Sequence, residues 1–332
     1  MSGSEVVYTV VSALIAIICC VGNALVIWAV WSNSSLRQPT FYYIGSLAAA
    51  DFLVGSVAVP VAVLVDGRVQ TSFHTCLFGS CVVVMLTMAS VMSLLAISVD
   101  RFLRVYIPFR YKKTVTAWRS WTVVVLCWFL AVILSFPPMM GWHKCDVSSQ
   151  SGNSTSMLCR FIDVIPMSYL VYFVFFLCTL TPLLIMAVLY FYIFCKIQRN
   201  LREKLERDTQ SHTYFRRERS LARSLALVLV LFAFCWLPLD ILNCVAYFAN
   251  GPNIPQTVFH VGILLSHANS AVNPVIYAFK IRKIQESYLM IYRRLFCRDH
   301  NQGSQSSQTT ENYLNSNTTN VARNSGEDAT AF

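Results

Sequence analysis

The residues best suited to chemistry in this sequence are a few polar side chains embedded in long apolar stretches. Asp51 lies among alanine, leucine and phenylalanine, and the pair Asp100-Arg101 ends a later apolar stretch. An ionisable group inside a bilayer costs a few kcal/mol or more, so it marks a functional site by default. The chemistry expected of such groups is charge pairing and hydrogen bonding in a low dielectric. For any single Asn or Ser in these stretches, packing between helices is the alternative.

Membrane-spanning helices must position these side chains. The chain has 332 residues, of which 56% are hydrophobic and 13% are charged, whereas a soluble domain carries about 25% charged residues. A helical crossing needs about 20 mostly apolar residues and a strand about half as many, so long apolar stretches predict helices. The predicted fold class is all-α, a seven-transmembrane helix bundle. Its predicted spans are Val6–Trp31, Phe41–Val65, Thr75–Tyr106, Trp118–Met140, Met167–Arg199, Leu221–Phe248 and Gln256–Phe279.

The positive charges predict how the bundle is oriented. With the N-terminus outside, only Arg68, Lys144 and Arg160 of the 26 Lys and Arg residues lie on the outer side, in agreement with the positive-inside rule. Seven spans then place the C-terminus in the cytoplasm, and the first span is too long for a cleavable signal peptide. The net charge is +10. We therefore expect the Lys and Arg residues of the inner side to contact anionic inner-leaflet lipid, not nucleic acid.

Three features of the outer loops carry predictions. Cys76 begins the third span and Cys159 precedes the fifth, so both face the oxidising side and a disulfide between them is predicted. Cys145 has no obvious partner and is interpreted as a free thiol. Asn153 begins an Asn-Ser-Thr glycosylation sequon in the same loop.

The C-terminal region predicts a surface helix and a tail. Residues 280–296 combine apolar residues at helical spacing with basic residues, as in an amphipathic helix on a membrane. Cys297 at its end is a palmitoylation candidate. Residues 298–332 are rich in Ser, Asn, Gln and Thr and are predicted to be a disordered cytoplasmic tail. The helical domain is therefore predicted to cover residues 1–297.

Six motifs together resemble the signature of the rhodopsin-like G-protein-coupled receptors. They occur in order, each in its own predicted span, and the resemblance covers nearly all of residues 6–297. It implies coupling to a heterotrimeric G protein and contacts of the tail with receptor kinases and arrestin. The motifs are Gly22-Asn23, Leu47-Ala48-Ala49-Ala50-Asp51, Asp100-Arg101-Phe102, Trp128, Cys235-Trp236-Leu237-Pro238 and Asn273-Pro274-Val275-Ile276-Tyr277.

The resemblance implies an allosteric sodium ion in the middle of the bundle. A hard cation prefers oxygen ligands around a carboxylate. The residues implied to line this sodium pocket are Asp51, Ser90, Trp236, Asn269 and Asn273.

The resemblance also implies a switch at the cytoplasmic side. Arg101 is expected to be held by Asp100 and by Glu218 at the inner end of the sixth span. Outward movement of that helix would release Arg101 and open the G-protein cleft, with Tyr190 and Tyr277 then supporting the arginine. A ligand drives such a two-state element only through different affinities for its two states.

Longer matches resemble the adenosine receptors within this family. They are residues 100–105, 236–239, 241–244 and 262–270, and the segment that begins at Lys280 is most similar to the third, inhibitory subtype. The resemblance implies a plasma-membrane receptor that binds adenosine, activates an inhibitory G protein and lowers cyclic AMP.

The implied pocket suits a purine nucleoside. The Asn243 amide can donate to the purine N7 and accept from the exocyclic amine, and Phe161 can stack on the ring. Ser266 and His267 offer hydrogen bonds to ribose hydroxyls, and Thr87 is expected to reach the 5′ end. The other implied ligand contacts are Leu239, Met167, Leu170, Trp236, Ile263 and Asp240.

The pocket also departs from the residues usual in adenosine receptors. Asp240 and Asn243 are three residues apart and share a helix face. We expect the Asp240 charge to be compensated by Arg160, by His267 or by a ligand amine, and a protonated acid is the alternative. The departures are Ser12, Met88, Arg160, Val174 and Asp240.

Other functions remain as alternatives. The divergent pocket could recognise a modified nucleoside or another small, amine-bearing ligand, and a transporter is a more distant alternative that substrate flux would reveal. An opsin would need Lys where His267 stands, and an amine receptor usually has a carboxylate where Val83 stands. The sequence has no metal-ligand cluster, nucleophile elbow or phosphate loop, so no enzyme activity is predicted.

Overall fold

Helices make up most of the computed structural model, which describes residues 3–33, 36, 38–144, 156–204, 209–249 and 254–296. The α-helices are α1 (Gly3–Ser32), α2 (Pro39–Leu53), α3 (Val59–Leu64), α4 (Phe73–Tyr106), α5 (Pro108–Thr114), α6 (Ala117–Ser135), α7 (Phe161–Val164), α8 (Thr181–Lys204), α9 (Thr209–Phe248), α10 (Gln256–Lys280) and α11 (Arg282–Phe296). A π-helical segment joins α2 to α3 at Val54–Ala58, and another leads into α8 at Tyr169–Leu180.

These helices form seven spans, as predicted. The spans are α1, α2 with α3, α4, α6, the second π-helical segment with α8, α9, and α10. Six of them are long and apolar enough to cross a membrane, counting the described residues alone. The seventh, α10, is less apolar because a row of polar side chains lies buried along it. This row consists of His260, Ser266, His267, Asn269, Ser270 and Asn273.

The surface of the bundle is apolar and parts of its interior are polar, the reverse of a soluble protein. Exposed apolar residues recur along α1 at a spacing of three or four, and they are Val7, Val10, Leu14, Ile17 and Val21. Buried Asn23 on the same helix donates through Nδ2 to the carbonyl oxygens of Cys19 and Ser270, at 2.9 and 3.0 Å. A surface of this kind is suited to lipid, where all backbone groups must be satisfied within the protein.

The helix bounds differ from the prediction at the end of the fourth span, the end of the fifth and the start of the sixth. The fourth span ends as an α-helix at Ser135 and not at Met140, because Pro137 and Pro138 cannot donate backbone hydrogen bonds. The fifth span was predicted to end at Arg199 and the sixth to begin at Leu221, but α8 continues to Lys204 and α9 begins at Thr209. Arg, Lys, Glu and Leu are strong helix formers even when the segment is highly charged.

Irregular turns accompany two of the prolines within the spans, Pro60 and Pro182, whereas Pro238 and Pro274 lie inside the continuous helices α9 and α10. The π-helical segment at Tyr169–Leu180 ends two residues before Pro182, which lacks a backbone donor. The Thr181 hydroxyl donates to the Phe176 carbonyl oxygen at 2.9 Å, a side-chain bond of the kind that satisfies carbonyls near prolines in membranes. At Gly22, an added Cβ would lie 3.0 Å from Cγ of Pro274, so the glycine allows α1 to approach α10.

A short outer sheet, which the sequence analysis did not predict, connects the second and third spans to the loop before the fifth. Strand β1 (Asp66–Thr71) pairs antiparallel with β2 (Met157–Arg160). The predicted disulfide between Cys76 and Cys159 is present and ties β2 to the start of α4. The Phe161 N–H donates to the Val65 carbonyl oxygen at 2.9 Å, which fixes the residue that follows the sheet.

The helix predicted at residues 280–296 is α11, which begins two residues later than predicted, at Arg282, because Ile281 has an extended backbone. One compact unit ends at Gln285 and a second begins at Glu286, within α11. Four predictions fall outside the described residues, namely those for Cys145, Asn153, Cys297 and the tail at 298–332.

Candidate functional site

Phe161 extends from the outer sheet into the side of the bundle. It packs against the cluster around the Cys76–Cys159 disulfide, where Met167 also lies. It also packs against a second cluster that contains Met88 of α4. Leu170 belongs to the first of these clusters. The structure therefore brings the predicted stacking residue together with two of its predicted apolar neighbours.

One side of α9 faces the interior of the bundle. The opposite, exposed side carries Phe234, Ile241, Val245 and Phe248 at helical spacing. With 3.6 residues per turn, four predicted pocket residues lie away from this exposed side, and they are Trp236, Leu239, Asp240 and Asn243. Asp240 is 7% exposed, and its Oδ2 has no hydrogen-bond partner among the described residues.

The outer half of α10 packs closely on α9. A Cβ added to Gly262 would lie 3.4 Å from Cα of Leu239, so the two helices meet at this level. Ser266 and His267 are buried about one turn further in. The Ser266 hydroxyl donates to the Ile263 carbonyl oxygen at 2.7 Å, and His267 Nδ1 has no hydrogen-bond partner in the described part of the chain. His267 thus retains capacity for an added hydrogen bond.

Thr87 lies on α4 and is only partly buried. Its hydroxyl donates to the Val83 carbonyl oxygen of the same helix at 3.2 Å. A hydroxyl oxygen that donates in this way still has acceptor capacity. Thr87 can therefore receive a hydrogen bond without losing its present one.

Asp51 is the centre of a buried polar cluster that joins three spans. Its Oδ1 accepts from the Ser270 hydroxyl at 2.8 Å and from the Ser90 hydroxyl at 3.2 Å. Its Oδ2 accepts from Asn273 Nδ2 at 2.7 Å. Ser270 was not among the predicted residues, although it follows the predicted Asn269 directly. Asn269 is buried.

The oxygen atoms around Asp51 are suitable ligands for a small hard cation. No described Lys, Arg or His side chain forms an ion pair with the Asp51 carboxylate. The side chains bonded to it offer two hydroxyl oxygens and an amide oxygen, and oxygen ligands suit such a cation. The predicted Trp236 is half-buried, with its ring 6.1 Å from that of Phe232.

The C-terminal end of α4 carries a buried ion pair. Arg101 Nη2 lies 2.8 Å from Asp100 Oδ2, and Arg101 Nε donates to the same oxygen at 3.2 Å. Thr40 also donates to Oδ2, at 2.6 Å, and the Tyr111 hydroxyl donates to Oδ1 at 2.6 Å. The predicted Asp100–Arg101 contact is thus present, with two additional donors from α2 and α5.

The other predicted switch residues lie on three further spans. Tyr190 on α8 and Tyr277 on α10 are both buried. The backbone of Glu218 lies in α9, but its side chain is outside the described part of the structure.

Comparisons with known proteins agree with this architecture. Residues 22–277 match the family described as 7 transmembrane receptor (rhodopsin family). The chain is 46% identical over 293 residues to adenosine receptor A3 of sheep (Ovis aries), covering 88% of this chain and 92% of the relative. The cattle (Bos taurus) protein of the same name is 45% identical with the same coverage. For the dog (Canis lupus familiaris) protein, the identity is 43% over 290 residues, or 87% of this chain and 92% of the relative.

The chain belongs to the adenosine receptor family. This membership confirms the predicted fold class, a seven-helix rhodopsin-family receptor in the plasma membrane. It also confirms the similarity to the third subtype, because the three relatives above are all A3 receptors.

The pocket residues that depart from the usual adenosine-receptor pattern differ in burial and in contacts. Met88 is fully buried and Val174 packs against the cluster that contains it. Ser12 is buried and its hydroxyl has no hydrogen-bond partner among the described residues. Arg160 is exposed at the end of β2, opposite Asp66 in the strand register. Arg160 is therefore part of the outer sheet and does not reach the Asp240 carboxylate.

Proposed function

We propose that this receptor binds adenosine from the outer side and activates an inhibitory heterotrimeric G protein, which lowers cyclic AMP. The observation that carries the proposal is the position of Asn243 on the side of α9 opposite its exposed residues, the side that also carries Trp236, Leu239 and Asp240. The relatives named adenosine receptor A3 support the choice of ligand.

The purine would bind between Phe161 and the interior side of α9. Asn243 would pair with the N7 edge and the exocyclic amine, because its amide can donate and accept at once. The ribose would extend inward to Ser266 and His267, which lie deeper than the Leu239–Gly262 contact. Met167, Leu170, Leu239, Trp236 and Ile263 would form the apolar walls.

A sodium ion at Asp51 would couple ligand binding to the state of the bundle. The ion would supply a positive charge to the buried carboxylate. Ser90, Ser270 and Asn273 already orient that carboxylate through hydrogen bonds from two other helices. Any change in the distance between α4 and α10 would alter this cluster, so an agonist that favours such a change would bind less well with sodium present.

Signal transfer would depend on Arg101. The ion pair with Asp100 holds the guanidinium inside the cytoplasmic end of the bundle. An agonist that favours outward movement of α9 would let Arg101 turn toward the G protein, with Tyr190 and Tyr277 as its new neighbours. Glu218 on α9 would be the second partner of Arg101 before this movement.

The remaining proposals concern the periphery of the receptor. The N-terminus would lie outside and the C-terminus in the cytoplasm, where receptor kinases and arrestin would act on the tail. Asn153 would carry a glycan and Cys297 a palmitoyl chain. Basic residues near the inner membrane surface would contact anionic lipid.

The proposal is tested by the response of cells that express the receptor. Adenosine should inhibit cyclic AMP formation in the wild type, and pertussis toxin should abolish the inhibition by blocking the inhibitory G protein. A wild-type receptor present at the cell surface with no adenosine response would refute the proposed ligand. A response that persists in the presence of the toxin would refute the proposed G-protein class only.

A further inference from the structure

Asp240 presents an unmatched carboxylate oxygen inside the outer half of the bundle. The residue is 7% exposed, and Oδ2 has no hydrogen-bond partner among the described residues. A buried carboxylate without a partner is strongly unfavourable, so such groups are normally paired or hydrogen-bonded. The structure therefore raises the question of what pairs with Asp240.

The two protein groups expected to pair with Asp240 do not do so. No described Lys, Arg or His nitrogen lies within 4.0 Å of the Asp240 carboxylate. Arg160 is exposed at the end of β2, and His267 is buried on α10 with Nδ1 unbonded. Asp240 Oδ2 and His267 Nδ1 thus both lack a hydrogen-bond partner among the described residues, and a ligand bound between α9 and α10 can supply the donors.

The helix register gives the depth of Asp240 relative to the ligand groups. Leu239 and Gly262 lie at the same level, where α9 and α10 touch. With a rise of about 1.5 Å per residue, Asn243 is about 6 Å outward of Leu239, and Ser266 is about 6 Å inward of Gly262. Asp240 therefore lies between the level of Asn243 and that of Ser266, beside the middle of a nucleoside held at both ends.

We infer that Asp240 makes this pocket selective for nucleosides that carry a protonated amine on the sugar. The inference rests on the proposed function, because it takes the purine and ribose ends from that binding mode. An ammonium group supplies both the counter-charge and the N–H donors that Oδ2 lacks, and charge-assisted hydrogen bonds are the stronger ones. A ribose hydroxyl can donate a hydrogen bond but brings no charge.

The test compares four ligands on the purified full-length receptor in lipid nanodiscs. Isothermal titration calorimetry at neutral pH measures the Kd of adenosine and of its 2′-amino-2′-deoxy, 3′-amino-3′-deoxy and 5′-amino-5′-deoxy analogues. The variants are Asp240→Asn, which keeps the shape and removes the charge, and Asp163→Asn. Asp163 is exposed in the same outer loop as Phe161, so it controls for general attraction of amines by outer carboxylates.

The expected result is that one of the amino analogues binds the wild type at least about tenfold more tightly than adenosine. Asp240→Asn should abolish this preference, because it removes the charge that the ammonium group pairs with, and Asp163→Asn should preserve it. The folding control is the thermal unfolding temperature of Asp240→Asn, which should be like that of the wild type.

Four results would overturn the inference. If adenosine binds but no amino analogue is preferred, or if the preference survives in Asp240→Asn, Asp240 does not select amines and the proposed function stands. If Asp163→Asn also abolishes the preference, its cause is a general attraction of amines by carboxylates on the outer side, and not Asp240. If none of the four ligands binds the folded wild type, the proposed function and the inference both fail.

Discussion

The Tyr111 hydroxyl donates a 2.6 Å hydrogen bond to Oδ1 of Asp100, the carboxylate whose other oxygen lies 2.8 Å from Arg101 Nη2. This bond connects α5, in the loop between the third and fourth spans, to the ion pair at the end of α4. Burial and the adjacent Asp100 carboxylate raise the pKa of Tyr111 above its usual range. The hydroxyl therefore remains a proton donor at neutral pH.

Replacing Tyr111 by Phe should weaken the hold of Asp100 on Arg101. We expect a loss of about 1 to 2 kcal/mol in receptor stability, since the bond involves a charged acceptor, together with increased signalling without agonist. Thermal unfolding and basal cyclic AMP measure the two effects. Thr40→Val removes the other added donor to Asp100, and the double variant should show less than additive change because both donors act on one carboxylate. Unchanged basal signalling in both single variants would contradict this role.

Asp51→Asn should remove the response of the receptor to sodium. In the wild type, replacing choline by sodium should lower agonist affinity by about fivefold or more, and the variant should show no such effect because the carboxylate charge is gone. Ser270→Ala should reduce the effect without abolishing it, since Ser90 and Asn273 remain bonded to Asp51. Agonist competition curves at several sodium concentrations measure this. Sodium sensitivity retained in Asp51→Asn would place the ion elsewhere.

Cys159→Ser should lower both stability and ligand affinity. The disulfide with Cys76 closes a sequence separation of 83 residues, and loss of such a bond typically costs about 2 to 4 kcal/mol. The disulfide also fixes the position of β2, and Phe161 is the residue directly after that strand. Its loss should therefore displace Phe161 and weaken ligand binding. Thermal unfolding and agonist binding report the change. The matched control is Cys145→Ser, which should behave like the wild type if Cys145 is a free thiol.

The outer sheet should be coupled to α10 through Asp66 and His260. Nε2 of His260 lies 3.1 Å from Oδ2 of Asp66, and the His260 ring stacks on Tyr8 of α1 with the ring centres 4.2 Å apart. Asp66→Asn and His260→Gln should therefore interact in a double-mutant cycle of thermal stability, with a coupling energy of about 0.5 to 3 kcal/mol. Additive effects would show that the contact does not join these elements.

The sequence predicted the parts of this fold that depend on burial in lipid. The apolar periodicity of α1, for example, follows directly from contact with the membrane, and the disulfide followed from the side on which its cysteines lie. The outer sheet was missed because Asp66–Thr71 has a polar composition without the alternation typical of strands. Its pairing depends on the tertiary position of Cys159, which no local pattern encodes.

The buried sites were only partly predictable for a similar reason. Asp51 was evident because a charged residue in an apolar stretch is rare, whereas Ser270 resembles any small residue that packs between helices. Only the orientation of α10 relative to α2 shows that Ser270, 2.8 Å from Asp51, is a direct partner. The unpaired state of Asp240 likewise required the structure, because its predicted partners Arg160 and His267 lie on other elements.

The most direct test of the proposed function is calorimetric measurement of adenosine binding to the purified wild type and to Asn243→Ala. We expect the variant to lose at least about tenfold in affinity, because it removes both hydrogen bonds to the purine. Ile241→Ala is the control, since Ile241 is on the exposed side of the same turn of α9, and it should bind adenosine like the wild type. Equal affinity of the wild type and a folded Asn243→Ala, or no binding to either, would contradict the account of an adenosine pocket built around Asn243.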